Sequence, residues 1–232
     1  MRMAVPAQHA DQAGDPHARN ERPLRSDAAR NREGILEAAR RAFAEHGSGT
    51  QMDEIARAAG LGVGTLYRNF PTKEALVEAL LVERLATLDR EIALALELES
   101  TPWDAFARSL RILARTQVQD RGLVEFTGGR ITGSELLRER RRALHATVVE
   151  LVERAQASGE LRADVATGDL PALIGGIAQS MWLSGENAEI LVDRYVSIVL
   201  DGLRAPGRER LPGRPLTIAE VEELLDGGCA GG

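Results

Sequence analysis

A chain of 232 residues with 44% hydrophobic side chains is long enough to bury one or two cores. Its longest apolar stretches carry charges too often to span a bilayer, its N-terminus lacks the apolar core of a signal peptide, and its single cysteine, Cys229, leaves no disulfide framework or thiolate metal cluster. The net charge of −6 divides unevenly, with 11 Lys and Arg against 9 Asp and Glu from Met1 to Lys73 and 18 against 26 thereafter, an asymmetry that suits a modular protein with one nucleic-acid face. A cytoplasmic protein without a membrane partner is therefore expected. Periodicity is helical nearly throughout and no alternating strand run is present, so the expected fold is all-α.

Residues 1–25 are polar, with Pro6, Pro16 and Pro23, and are expected to form a disordered arm. Its basic end, Arg19, Arg22 and Arg25, has two readings: a solvated tail, or an arm that reaches a neighbouring groove of DNA. Residues 26–72 read as one domain. Its first helix is expected from Asp27 to about Glu45, with Ser26 as N-cap, a buried face of Ile35, Ala39, Ala42 and Phe43, and a stop at Gly47. Met52, Ile55, Ala56 and Ala59 then mark a short second helix, which Gly60 ends. Val63, Leu66 and Phe70 mark a short third one. Two such helices around a glycine turn describe a helix-turn-helix, whose second helix can enter the major groove.

The body, residues 73–205, begins with a long amphipathic helix after Pro71, capped by Thr72 and running towards Leu98. A break at Ser100-Thr101 precedes a fifth helix opened by Pro102, with Trp103, Phe106, Leu110 and Leu113 on its apolar side. Gly122 to Gly133 is expected to be loop, disrupted at Gly128-Gly129. A further helix is predicted from about Ser134 to Ser158, stopped by Gly159. Thr167 is the expected cap of a helix carrying Leu170, Leu173, Ile174, Ile177 and Met181, and a last helix covers about Asn187 to Leu203. Residues 206–232 form a Pro/Gly-rich tail. Within it a capped turn from Thr217 to Glu220 opens a short amphipathic segment (Ile218, Val221, Leu224, Leu225) that either docks on the body or floats.

Four stretches together, ILEAARRAFAEHG, DEIARAAG, GTLYRNF and FPTKEAL, make residues about 24 to 80 resemble the N-terminal domain of the TetR family of bacterial transcriptional regulators. The resemblance implies a three-helix DNA-binding domain followed by a larger helical domain that binds a ligand and dimerises. Within the recognition helix, Gly62 and Gly64 would let the backbone approach phosphates and base edges, with Val63 between them on the same contact surface. Thr65 offers a hydroxyl and a methyl group suited to thymine. Tyr67 matches the family tyrosine whose hydroxyl meets a phosphate. Lys73, the one lysine of the chain, matches a lysine at the start of the fourth helix, where the dipole also favours phosphate. Arg68 and Asn69 are not fixed by the motif: either reads a base, or both are solvated or touch phosphate only. Where many members carry small hydroxyl residues at the second helix, this chain has Gln51 and Met52. Thr50 is then a cap one residue early, with Asp53 completing a box, and Thr50 and Gln51 are the candidate phosphate contacts there.

For the body, small residues Gly175, Gly176 and Ala178 along the Leu170 to Met181 stripe, with Leu191, Tyr195, Ile198 and Val199 of the last helix, fit either a four-helix bundle across a two-fold axis or an intramolecular core. Candidate ligand contacts are Trp103, Phe106, Leu110, Gln117, Phe126, His145, Gln179 and Trp182, although ordinary core is the stronger reading of each taken singly. Neither metal nor cofactor is implied. The resemblance thus points to a homodimeric repressor of a palindromic double-stranded operator, released by a small-molecule effector. Activation stays open, as does a DNA-binding protein without an effector. An all-α enzyme is disfavoured: His9 and His17 lie in the arm, His46 ends a helix, and His145 has no paired carboxylate, phosphate loop or nucleophile motif.

Overall fold

The computed structural model describes residues 21–127, 133–183, 188–206, 209–217, 220, 221 and 223. Nine α-helices lie among them: α1 Glu21–His46, α2 Met52–Ala58, α3 Val63–Asn69, α4 Lys73–Leu98, α5 Pro102–Gln119, α6 Arg121–Thr127, α7 Glu135–Ala157, α8 Asp169–Leu183 and α9 Ala188–Leu203. A 3-10 turn follows α1 at Gly47–Gly49. The described residues contain no strand, only one antiparallel bridge between Leu161 and Arg204, so the all-α expectation holds.

Two apolar clusters organise the chain. The first joins Ile35, Leu36, Ala39 and Phe43 of α1 to Met52, Ile55 and Ala56 of α2, Leu66, Phe70, and Leu76, Val77 and Leu80 of α4. It also takes in Leu123 of α6. The second gathers Ile92, Trp103, Phe106, Leu110, Val148, Leu151, Val152, Ile174, Ile177, Met181, Val192 and Val196 from α4, α5, α7, α8 and α9. Among the described helices α4 serves both, contributing Leu76, Val77 and Leu80 to the head and Ile92 to the body. Its start is well specified: the Thr72 hydroxyl accepts from the Ala75 amide at 3.1 Å, a cap whose removal typically costs about 1 kcal/mol.

Several local expectations are corrected. The first helix begins at Glu21, not Asp27, because Pro23 falls in the first turn, where amides have no intrahelical partner to lose. Ser26 is therefore inside the helix and does not cap it. Residues 121–127, expected as loop, form α6. Gly122 is accommodated because α6 presses on α1: a Cβ there would lie 2.1 Å from the Phe43 carbonyl oxygen. α8 begins at Asp169, two residues after Thr167, and the Asp169 carboxylate accepts from the Ala166 amide at 2.8 Å. Gly128-Gly129, Arg19, Asn187, Ile218, Leu224, Leu225 and Cys229 lie outside the described residues, as does most of the N-terminal arm.

The tail docks. Arg162, paired with Asp164 at 2.8 Å, donates to the Glu209 carbonyl at 2.6 Å. Asp164 accepts from the Leu211 amide at 2.8 Å. Further on, Glu220 accepts from Arg214 and from the Thr217 amide and hydroxyl.

Candidate nucleic-acid interface and ligand cavity

The turn between α2 and α3 is made by Gly60, at φ +68°, and by the Leu61 amide bonding to the Ala56 carbonyl at 2.9 Å. The turn orients α3 so that Leu66 is fully buried while Gly62, Val63, Gly64, Tyr67 and Arg68 face solvent. Tyr67 shares a surface concavity with Gln51, Thr72 and Lys73, which brings together three of the predicted phosphate contacts from three elements. Arg68 is folded along its own helix: Nε donates to the Gly64 carbonyl at 3.1 Å and Nη2 to the Thr65 hydroxyl at 3.0 Å. Asn69 donates to the Thr65 carbonyl at 2.8 Å. Both side chains thus start anchored along their own helix, with donor capacity beyond these bonds.

Lys73 is half-buried. Its ammonium donates to the Ser48 carbonyl at 2.8 Å and lies 4.8 Å from the Phe126 ring centroid and 5.5 Å from that of Phe43. An ammonium has three donors, so the bond to Ser48 leaves it able to meet a phosphate. Thr50 departs from its expected role. It is fully buried, and its hydroxyl lies 2.9 Å from the Ala42 and Gly47 carbonyl oxygens, tying the end of α1 together. It faces no DNA. Gln51 is exposed and is itself the N-cap residue of α2, with its amide held by the Glu54 carboxylate at 3.1 Å. Glu54 rather than Asp53 completes the capping box, as the three-residue spacing from Gln51 requires.

The body holds a cavity of about 320 Å³, the size range of small-molecule sites. Its walls follow one rule. Leu81, Arg84, Leu85 and Leu88 of α4 face it at i, i+3, i+4 and i+7. So do Leu113, Thr116, Gln117 and Asp120 at the end of α5, and Arg141, Leu144, His145 and Val148 of α7. Leu123 and Val124 of α6, the start of α8 with Ile174, and Val221 of the docked tail complete it. Arg84 pairs with Asp120 at 2.8 Å. Burial pushes the Asp120 carboxyl above its ordinary range, against the lowering effect of Arg84.

Of the eight candidate ligand contacts, Gln117 and His145 reach this cavity. Trp103, Phe106 and Leu110 are buried in the body core, the two rings 5.7 Å apart with the Arg204 guanidinium over Trp103. Phe126 packs with Phe43 of the head, 6.2 Å between centroids. Trp182 donates its indole N–H to the Val118 carbonyl at 3.0 Å, and Gln179 is exposed on α8. The sequence reading does not single out Arg84, Asp120 and Arg141, though it carries a signal for them: each is a charged residue at a helical-face position shared with apolar ones.

Residues 35–80 match the family model described as bacterial regulatory proteins, tetR family, and residues 101–205 match the one described as transcriptional regulator SbtR-like, C-terminal domain. The HTH-type transcriptional repressor BepR of Brucella suis is 29% identical over 80% of this chain and 97% of its own length. A TetR transcription regulatory protein from Mycobacterium vanbaalenii has a crystal structure 38% identical to this chain, covering 79% of it and 100% of that protein, with a TM-score of 0.59. The fold is also that of the regulator FadR from Bacillus subtilis, solved in complex with stearoyl-CoA, at 18% identity and a TM-score of 0.57 over 74% of this chain and 98% of that one.

Proposed function

Because the chain belongs to the tetR family of bacterial regulatory proteins, we propose that it is a repressor that grips a palindromic operator as a homodimer and lets go when a small ligand fills the body cavity. The observation that carries this reading is the position of α6. Leu123 and Val124 line the cavity, yet Leu123 belongs to the core of the head, and Phe126 on the same short helix packs against Phe43 and Lys73. A ligand that displaces α6 or the adjoining turns of α4 therefore acts on the lysine that follows the recognition helix. Ligands shift such equilibria by favouring one conformation, and the usual coupling is about 1–3 kcal/mol, or roughly 5–150-fold in affinity. Similarity to the repressor BepR favours repression over activation, and the acyl-CoA in the FadR structure favours an effector role for the cavity.

Dimerisation through α8 and α9 is supported by their outer faces. Leu183, Ile190 and Ile198 are 83%, 76% and 57% exposed, beside Tyr195 and the small residues Ala172 and Gly176. Apolar side chains so exposed on two adjacent helices fit a self-complementary interface, and two recognition helices would then read half-sites about one helical turn apart. A gel-shift assay on DNA upstream of the chain's own gene, with light scattering of the free protein, tests both parts. A dimer in solution and a shifted complex on a palindrome are expected; a monomer that binds a single half-site would refute the arrangement.

A further inference from the structure

Any effector of the cavity must pass one of its walls, and one wall is built differently from the rest. α4, α5, α7 and α8 each turn residues to the cavity and place others in the apolar core of the body, and Leu123 of α6 belongs to the core of the head. Moving any of these helices exposes buried apolar surface. The tail wall has no such backing. Residues 209–217 are exposed, Leu211 and Leu216 included, and none of the described tail residues belongs to either core.

Polar contacts hold the tail instead. Asp164 accepts from the Leu211 amide at 2.8 Å while Arg162, its partner, donates to the Glu209 carbonyl at 2.6 Å. Beyond that clasp the chain closes into one helical turn, with the Val221 amide donating to the Thr217 carbonyl at 3.0 Å and the Glu220 carboxylate accepting from the Thr217 amide at 2.7 Å. The turn lies directly on the loop before α8. A Cβ at Gly168 would stand 2.2 Å from the Leu216 carbonyl oxygen and 3.6 Å from Cγ2 of Val221. Gly168 and Val221 both line the cavity, so the tail covers it at this point. A segment with few buried apolar contacts and mostly exposed hydrogen bonds is the kind that opens locally while the remainder stays folded. It also lies beyond residues 101–205, the part that matches the family's C-terminal model.

We propose that the C-terminal tail is the door of the cavity. It lifts from Asp164 and Gly168 while the helical walls stay packed, and the effector enters and leaves past Val221. The proposal rests on reading the cavity as the effector site, but the door is tested without an effector.

The test is thiol labelling of the full chain by N-ethylmaleimide, followed by mass spectrometry, with Cys229→Ser throughout so that an introduced thiol is the only one. Val148→Cys places a thiol on the cavity wall of α7, whereas Ala155→Cys, about two turns along the same helix, places one in the body core away from the cavity. Asp164→Ala unfastens Leu211, and Gly168→Ala puts a methyl group where the Leu216 carbonyl lies. Each should speed labelling at position 148 by roughly tenfold, which is what the loss of one hydrogen bond amounts to, and leave position 155 unchanged. Unchanged labelling at position 148 in both variants would overturn the door. So would a thiol there that reacts in the parent as fast as in urea, or equal acceleration at both positions, since the tail would then hold the whole body together. An operator complex indifferent to what fills the cavity leaves the door standing and refutes release by ligand instead.

Discussion

The DNA-binding head and the cavity of the body are built from the same kind of amphipathic helix, yet they distribute their chemistry in opposite ways. In the head, the residues proposed to face DNA lie within the short run from Gln51 to Lys73, around one glycine turn. In the cavity, the polar residues come from α4, α5 and α7, separated by tens of residues, and each occupies a position that periodicity alone assigns to core. A surface that grips a regular polymer can be encoded locally, whereas a cavity shaped to one small molecule exists only after several helices have packed. The two regions meet at α6, which is core to one and wall to the other.

The strongest way to break this picture is to remove the shared core. Phe43 is 1% exposed and touches Phe126 across the junction. Phe43→Ala should destabilise the protein by about 3–5 kcal/mol, read by urea unfolding. If the head and body were independent, the body's transition would stay at its original midpoint; a single shifted transition is expected.

Next come the DNA-facing side chains of the head. Tyr67→Phe and Lys73→Ala should weaken binding to every operator variant alike, and Lys73→Ala should also reduce the salt slope by about one unit, since it leaves one phosphate unneutralised. Arg68→Ala separates reading from gripping. If Arg68 leaves Thr65 for a base, preference at one position of each half-site should relax by about 1–3 kcal/mol, measured by competition among single-site operator variants. An unchanged preference would assign Arg68 to its own helix only.

These residues also show how far the sequence is legible. The glycine turn, the Thr72 cap and the buried Leu66 and Phe70 are readable because each rests on near-neighbour geometry. Thr50 is not, because a hydroxyl just before a helix serves equally well to cap it or to bind the end of the preceding one; the Ala42 carbonyl, eight residues back, decides the matter. Phe126 reads as a ligand contact because aromatic residues are scarce, but its partner Phe43 is far away in sequence. Arg84, Arg141 and Asp120 escape notice for the converse reason: a charged residue on an apolar stripe reads as noise until three such stripes converge.

The smallest expected effect concerns the docked tail. Hydrogen bonds from Arg214 and from Thr217 hold the Glu220 carboxyl at about 2, below its ordinary 4.5. A depressed acid pKa means that the ionised form is favoured by the folded contacts. Its contribution is therefore complete above pH 4.5 and fades as pH falls through about 2. Protection of the Thr217, Glu220 and Val221 amides against hydrogen exchange, taken relative to the intrinsic rate at each pH, should fall over that window, and Glu220→Gln should show the lower protection already at neutral pH. Since Val221 lines the cavity, the same variant should exchange ligand faster than wild type.

The most direct test of the link between the two regions is the affinity for the DNA upstream of its gene, followed by fluorescence anisotropy, of the unaltered full chain and of Leu113→Trp, which fills the cavity from α5. A roughly 5–150-fold weakening is expected in the variant. Unchanged affinity in a variant that unfolds at the same temperature as the parent would contradict it.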